Sequence, residues 1–129
     1  GMVGALDILA PGGDLFIVSQ CCEGMGSDEY VDAQRRLVES GPRAFLDQIL
    51  DKTHADIDEW QTQMQLKAMS AGRIHLYSDK LTASDHQLTG VNRIEAVSQA
   101  IHNSLLNHSN NAVAVVPEGP YVVPVYRPA

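Results

Sequence analysis

Residues Leu9 to Tyr30 read Leu-Ala-Pro-Gly-Gly-Asp-Leu-Phe-Ile-Val-Ser-Gln-Cys-Cys-Glu-Gly-Met-Gly-Ser-Asp-Glu-Tyr. Pro11-Gly12-Gly13 breaks the chain before Leu15-Phe16-Ile17-Val18, a short run of strand formers between turn signals, as in a strand covered on both faces. Glu23-Gly24-Met25-Gly26 then turns the chain, and Ser27 can cap a helix whose first turn holds Asp28 and Glu29. A strand, a glycine loop and a helix start in succession form half of a βαβ unit.

The rest of the chain repeats that grammar. Met2 to Leu9 has the apolar spacing of a helix already under way. After the strand Asp14 to Gln20, an amphipathic helix runs from Asp28 to Glu39 on Tyr30, Ala33, Leu37 and Val38. Ser40-Gly41 stops it, and Pro42 opens a second helix on Phe45, Leu46, Ile49 and Leu50. Asp56 and Glu59 read as a capping box for a third helix to Ala71, its buried stripe being Ile57, Trp60, Met64 and Ala68, with Gly72 closing it. Arg73 to Ser78 reads as a second strand and Ser84 to Thr89 as a short helical turn. Asn92, with Glu95 at the box position, opens a helix on Ile94, Val97, Ala100, Ile101 and Leu105. After an Asn107–Asn111 loop, Ala112-Val113-Ala114-Val115-Val116 reads as a third buried strand, and Tyr121 to Tyr126 as at most an edge strand.

These elements predict one α/β domain over residues 1–129: a small three-layer sandwich on a mostly parallel sheet of three to four strands, ordered β-ααα-β-α-β. A parallel sheet gathers the carboxyl ends of its strands on one edge, where ligands or partners dock. That edge is expected to hold Cys21–Ser27, Ser78–Leu81 and Pro117–Tyr121.

Bulk properties narrow the function. The chain has 129 residues, 44% of them apolar, and a formal charge of −7, with scattered Lys and Arg, which argues against nucleic-acid binding. No run approaches a membrane span. The only two cysteines, Cys21 and Cys22, are adjacent and fit a reducing, cytoplasmic setting. Gly1 reads as an addition ahead of Met2, and the whole chain as a piece of a longer protein.

The chemistry-bearing residues do not assemble a catalytic set. Glu23, Asp28 and Glu29 crowd the glycine loop with negative charge and its glycine spacing is not that of a nucleotide fingerprint, so it reads as a cleft wall rather than a phosphate cradle. This also disfavours a stand-alone Rossmann-type enzyme. Cys21 and Cys22 read as small apolar fillers at a strand end. His54, His75, His86, His102 and His108 have no metal-ligand spacing among them; His54, His102 and His108 are expected on solvated surfaces or loops. Trp60, the single tryptophan, reads by periodicity as a core residue.

In order along the chain, Pro11-Gly-Gly with its strand, Glu23-Gly-x-Gly-Ser27, Asp58-x-Trp60-Gln61, Ser78-Asp79-x-Leu81 and Pro117-Glu118-Gly119-Pro120-Tyr121-Val-Val-Pro124 together resemble the C-terminal domain of nickel-dependent lactate racemases. The resemblance implies a substrate-side or lid domain of a two-domain cytoplasmic enzyme that interconverts 2-hydroxy-acid stereoisomers by hydride transfer. It implies a nickel-pincer nucleotide in the full-length enzyme, held by the N-terminal catalytic domain, which is also this chain's partner. None of the family's tethering lysine, nickel-binding histidine or acid/base histidines has a counterpart here, and a substrate-contacting glutamine and lysine would fall just before residue 1. No catalytic residue, metal ligand or bound cofactor is therefore expected in this fragment. Trp60 matches a tryptophan that lines the substrate side of the cleft. Glu23, Gly24, Gly26, Ser27, Glu118 and Gly119 are expected in cleft-edge loops. The competing reading is a noncatalytic α/β binding or interaction module.

Overall fold

The first strand, β1, spans Asp14–Val18 and pairs in parallel with β2, Arg73–Tyr77, in the register Asp14↔Arg73 through Val18↔Tyr77. In this computed structural model, residues 2–108 and 112–127 are described. A third strand, β3, Asn92–Arg93, pairs in parallel with β2, giving the order β1-β2-β3. The sheet thus separates its strands by helices, roughly in the predicted β-ααα-β-α-β order but with a different third strand and a further helix after it.

Helix α1 runs from Asp28 to Leu50 but is two helices in direction, because Gly41 sits at φ 82°, ψ 165°. That backbone is accessible to glycine at little cost, and Pro42 then restarts the helix with its φ already set. Ser27 caps α1 by accepting from the Tyr30 N–H at 3.1 Å, so the stop, restart and cap read from the sequence all hold. Helix α2 covers Glu59–Ala71, α3 Ala83–Leu88 and α4 Val97–Asn107; single 3-10 turns occupy Val3–Ala5 and Gly119–Tyr121.

Three layers result. Alternation along β2 buries Ile74 and Leu76 on the side of α2, while α1 and α2 close the core around Ala33, Leu37, Phe45 and Leu66. The opposite face carries Asp14 and His75, and there α4 packs on β1, with Ser104 donating to Asp14 at 2.5 Å. Phe16 stacks on His75 on the same face, their ring centroids 4.7 Å apart.

Several expectations are corrected. Strand β1 ends at Val18, short of Gln20, and is only half-covered, with Val18 exposed. Met2–Leu9 forms one 3-10 turn and loose turns instead of a helix tail. Asn92 caps no helix: Ile94 N–H continues the β2 pairing by donating to the Leu76 carbonyl at 3.0 Å, and α4 waits until Val97. The Ala112–Val116 run is not a strand, nor is Tyr121–Tyr126; Val115 stands 82% exposed. Strand propensity is local, whereas a strand needs a neighbouring edge in register, and β3 took that place. Of the Asn107–Asn111 loop, residues 109–111 lie outside the described residues, as does Gly1.

Candidate functional site

The decisive feature is which way α2 faces. Its buried residues are Glu59, Thr62, Gln65, Leu66 and Ala68, so the covered face is largely polar. Ile57 and Trp60, expected in the core, are exposed, Trp60 to 61%; Met64 is half-buried and only Ala68 of the predicted stripe is covered. Apolar periodicity pointed to the wrong side because the true inner face is held by hydrogen bonds rather than by apolar area.

Those bonds form two groups. Glu59 receives Arg36 at 2.5 Å and Lys52 at 2.7 Å. Burial pushes the Glu59 carboxyl up, but the two cations outweigh it and hold the group below its ordinary range. Further along α2, Gln65 Nε2 donates to the Thr89 carbonyl at 2.7 Å, which turns its Oε1 to accept from Gln34 Nε2 at 2.9 Å. Gln34 Nε2 also donates to the Tyr30 hydroxyl at 2.8 Å. Burial raises the Tyr30 phenol above its ordinary value, so it stays protonated. Buried amides that bond one another in this way specify one arrangement of α1 against α2.

With its polar side turned in, α2 presents Trp60, Gln61 and Met64 outward. Together with Met2, Val3, Tyr30 and Gln65 they line an open depression of about 240 Å³. Of this set, sequence reading gave a site role only to Trp60. The available signal for the rest was the polar spacing Glu59, Thr62, Gln65 on α2, with Tyr30 and Gln34 four apart on α1.

Trp60 is joined to the glycine loop. Ser27, on donating to Asp58 Oδ2 at 2.6 Å, connects the start of α1 to the start of α2. Glu23, Gly24 and Gly26 are exposed, with Gly24 N–H closing a turn onto the Cys21 carbonyl at 3.0 Å. Ser78 Oγ donates to the Gln20 carbonyl at 2.9 Å, so the loops after β1 and β2 meet as expected. Glu118 and Gly119 do not follow a strand. Glu118 is left-handed (φ 53°) and opens the Gly119–Tyr121 turn, which packs against Val3–Ala5 beside the depression. Thus the third loop approaches the site through the N-terminal turn.

The other candidates are placed elsewhere. Cys21 is half-buried at φ 50° and Cys22 is exposed, so neither fills a core. His54 and His102 are exposed, whereas His108 is tied to Asp14 at 3.2 Å on the far face of the sheet. His86 is the buried residue of α3, its Nε2 3.4 Å from the Ser78 carbonyl. Among the described residues no group of three or more His, Cys, Asp or Glu is arranged to hold a metal ion. Among them also, no helix is long and apolar enough to cross a membrane.

By class, this is a three-layer α/β domain with an exposed tryptophan near the carboxyl edge of a parallel sheet. The particular family follows from comparison: the profile of the lactate racemase C-terminal domain matches residues 1–124, and the chain belongs to that family. A search of the curated proteins returns no match.

Proposed function

We propose that this domain forms the substrate-side wall, or lid, of a nickel-dependent racemase of lactate or a related 2-hydroxy acid. Its partner in that reading is an N-terminal catalytic domain of the same protein, which would hold a nickel-pincer nucleotide whose contribution would be hydride-transfer chemistry. The residues of this chain do not fit as holders of that group: the described residues offer no metal cluster, and Glu23, Asp28 and Glu29 surround the glycine loop.

The observation that carries the reading is the outward Trp60 on a helix whose inner face is polar. An indole at the rim of a depression gives a small organic acid apolar cover with one polar N–H at its edge. Met2, Val3 and Met64 extend that cover. Closing such a wall over a reacting centre excludes water, which hydride chemistry requires.

The test is a racemase assay of the full-length protein loaded with cofactor, on a panel of D- and L-2-hydroxy acids. Inversion of at least one acid is expected, with kcat/KM lowered by about tenfold or more in Trp60→Ala. A loaded enzyme inert across the panel would sink the racemase reading.

A further inference from the structure

Asp58 is one of three non-glycine residues with positive φ among the described residues, at φ 61° and ψ −5°. Such a conformation in an aspartate points to a constraint worth explaining, and strained backbone gathers where geometry serves function. Here the constraint is visible. Asp58 Oδ2 accepts from Ser27 Oγ at 2.6 Å, and Oδ1 accepts from Gln61 Nε2 at 2.9 Å. Ser27 Oγ in turn accepts from the Tyr30 N–H. One carboxylate therefore clasps the first turns of α1 and α2, which carry Tyr30, Trp60 and Gln61 of the depression.

The clasp also sets the rotation of α2. Successive helical residues are 100° apart, so fixing Glu59 fixes the direction of Trp60, while the cap at Asp58 fixes where that helix starts. Asp58 is anchored to the start of α1 by Ser27, Glu59 is anchored inside by Arg36 and Lys52, and Trp60, the next residue round the helix, faces outward.

We infer that Asp58, held by Ser27, is a positioning residue for Trp60, and that the left-handed turn at Asp58 orients the indole over the depression. The inference rests on the substrate-side reading of Trp60 and names what keeps that side chain in place. Asp58 touches no reacting atom in this account. Its effect passes through Trp60 and Gln61.

The test uses the fact that Trp60 is the only tryptophan of the 129-residue chain, so its fluorescence reports one site. Asp58→Gly keeps the left-handed backbone without strain but removes both side-chain bonds. Asp58→Asn tolerates the same backbone and keeps an acceptor for Ser27. In the 129-residue chain, Asp58→Gly and Ser27→Ala are expected to lower Trp60 anisotropy and raise its quenching by acrylamide, with the melting curve still cooperative. Asp58→Asn is expected to restore values near those of the unaltered chain. In the loaded full-length enzyme, Asp58→Gly is expected to lower kcat/KM by about tenfold, and Asp58→Asn by much less. Unchanged Trp60 fluorescence in Asp58→Gly overturns the inference and leaves the substrate-side reading standing. A Trp60→Ala enzyme with unaltered kcat/KM overturns that reading and, with it, the functional part of this inference.

Discussion

Asp14 and Arg73, 59 residues apart in the chain, meet fork to fork at 2.6 Å and 2.9 Å as register partners at the start of two parallel strands. The Asp14 side chain is 5% exposed, and it also receives His75 at 2.9 Å, Ser104 at 2.5 Å and His108 at 3.2 Å. A single carboxylate thus ties β1, β2 and α4 together on the face of the sheet away from the candidate site.

Asp14→Ala is therefore expected to destabilise the domain by about 2–3 kcal/mol, measured by denaturant unfolding. That lies below the roughly 3–5 kcal/mol for breaking a fully buried ion pair, because the Arg73 side chain is 55% exposed and can rehydrate. A loss below about 0.5 kcal/mol, as for an ordinary surface change, would contradict the hub role.

The same residue predicts acid sensitivity. The Arg73 guanidinium, together with Ser104, His75 and His108, outweighs burial and holds the Asp14 carboxyl far below its ordinary range. A depressed folded-state value means the stabilisation is fully present above the unfolded value, about 3.9, and is lost as pH falls below it. Glu59, also held low, acts in the same direction. The melting temperature should begin to fall as pH drops below about 4.5 and keep falling to about pH 2, and fall less steeply in Asp14→Asn.

Gly72 should not tolerate a side chain. It is extended, at φ −169°, so no left-handed strain is at issue. The obstacle is proximity: Arg73 N–H donates to the Gly13 carbonyl at 2.9 Å, and a Cβ on Gly72 would overlap that oxygen. Gly72→Ala is expected to cost about 1–3 kcal/mol, the usual range for overpacking, read as a lower denaturation midpoint at unchanged slope.

Trp60 and Phe45 should separate cleanly on stability. Phe45 is fully buried with the Arg36 guanidinium 5.4 Å above its ring, so Phe45→Ala is expected to cost about 3–5 kcal/mol. Trp60→Ala should change stability by no more than about 0.5 kcal/mol, since most of the indole already faces solvent. Thermal melts of the two variants side by side decide whether the tryptophan is core or surface.

Much of the fold was legible because its signals are local. Ser27 caps α1 as its position before Asp28 and Glu29 implied, and Gly41-Pro42 breaks the helix through the conformations those two residues prefer. The Asp56–Glu59 box was half right: Glu59 Oε2 does accept from the Asp56 N–H at 3.4 Å, but the cap itself is Asp58. The Thr82–Asp85 capping box that opens α3 carried a readable signal, T-x-x-D, and was missed. The third strand was misplaced for a different reason. Asn92–Arg93 has little strand propensity and is a strand because β2 offers it a parallel edge, whereas Ala112–Val116 has the propensity but is not a strand of the sheet.

By itself the sequence determined where α1 starts, breaks and restarts, and through its ordered motifs the family to which the chain belongs. These depend on backbone preferences and caps within a few residues of each position. Tertiary structure alone decided that α2 turns its polar side inward, that Trp60 faces out beside Tyr30 and Met64, and that Asp58 clasps Ser27. The physical reason is that burial of a polar residue depends on its partners. Those of Glu59 and Gln65 include Arg36 and Gln34, 23 and 31 residues away, which no helical periodicity can count.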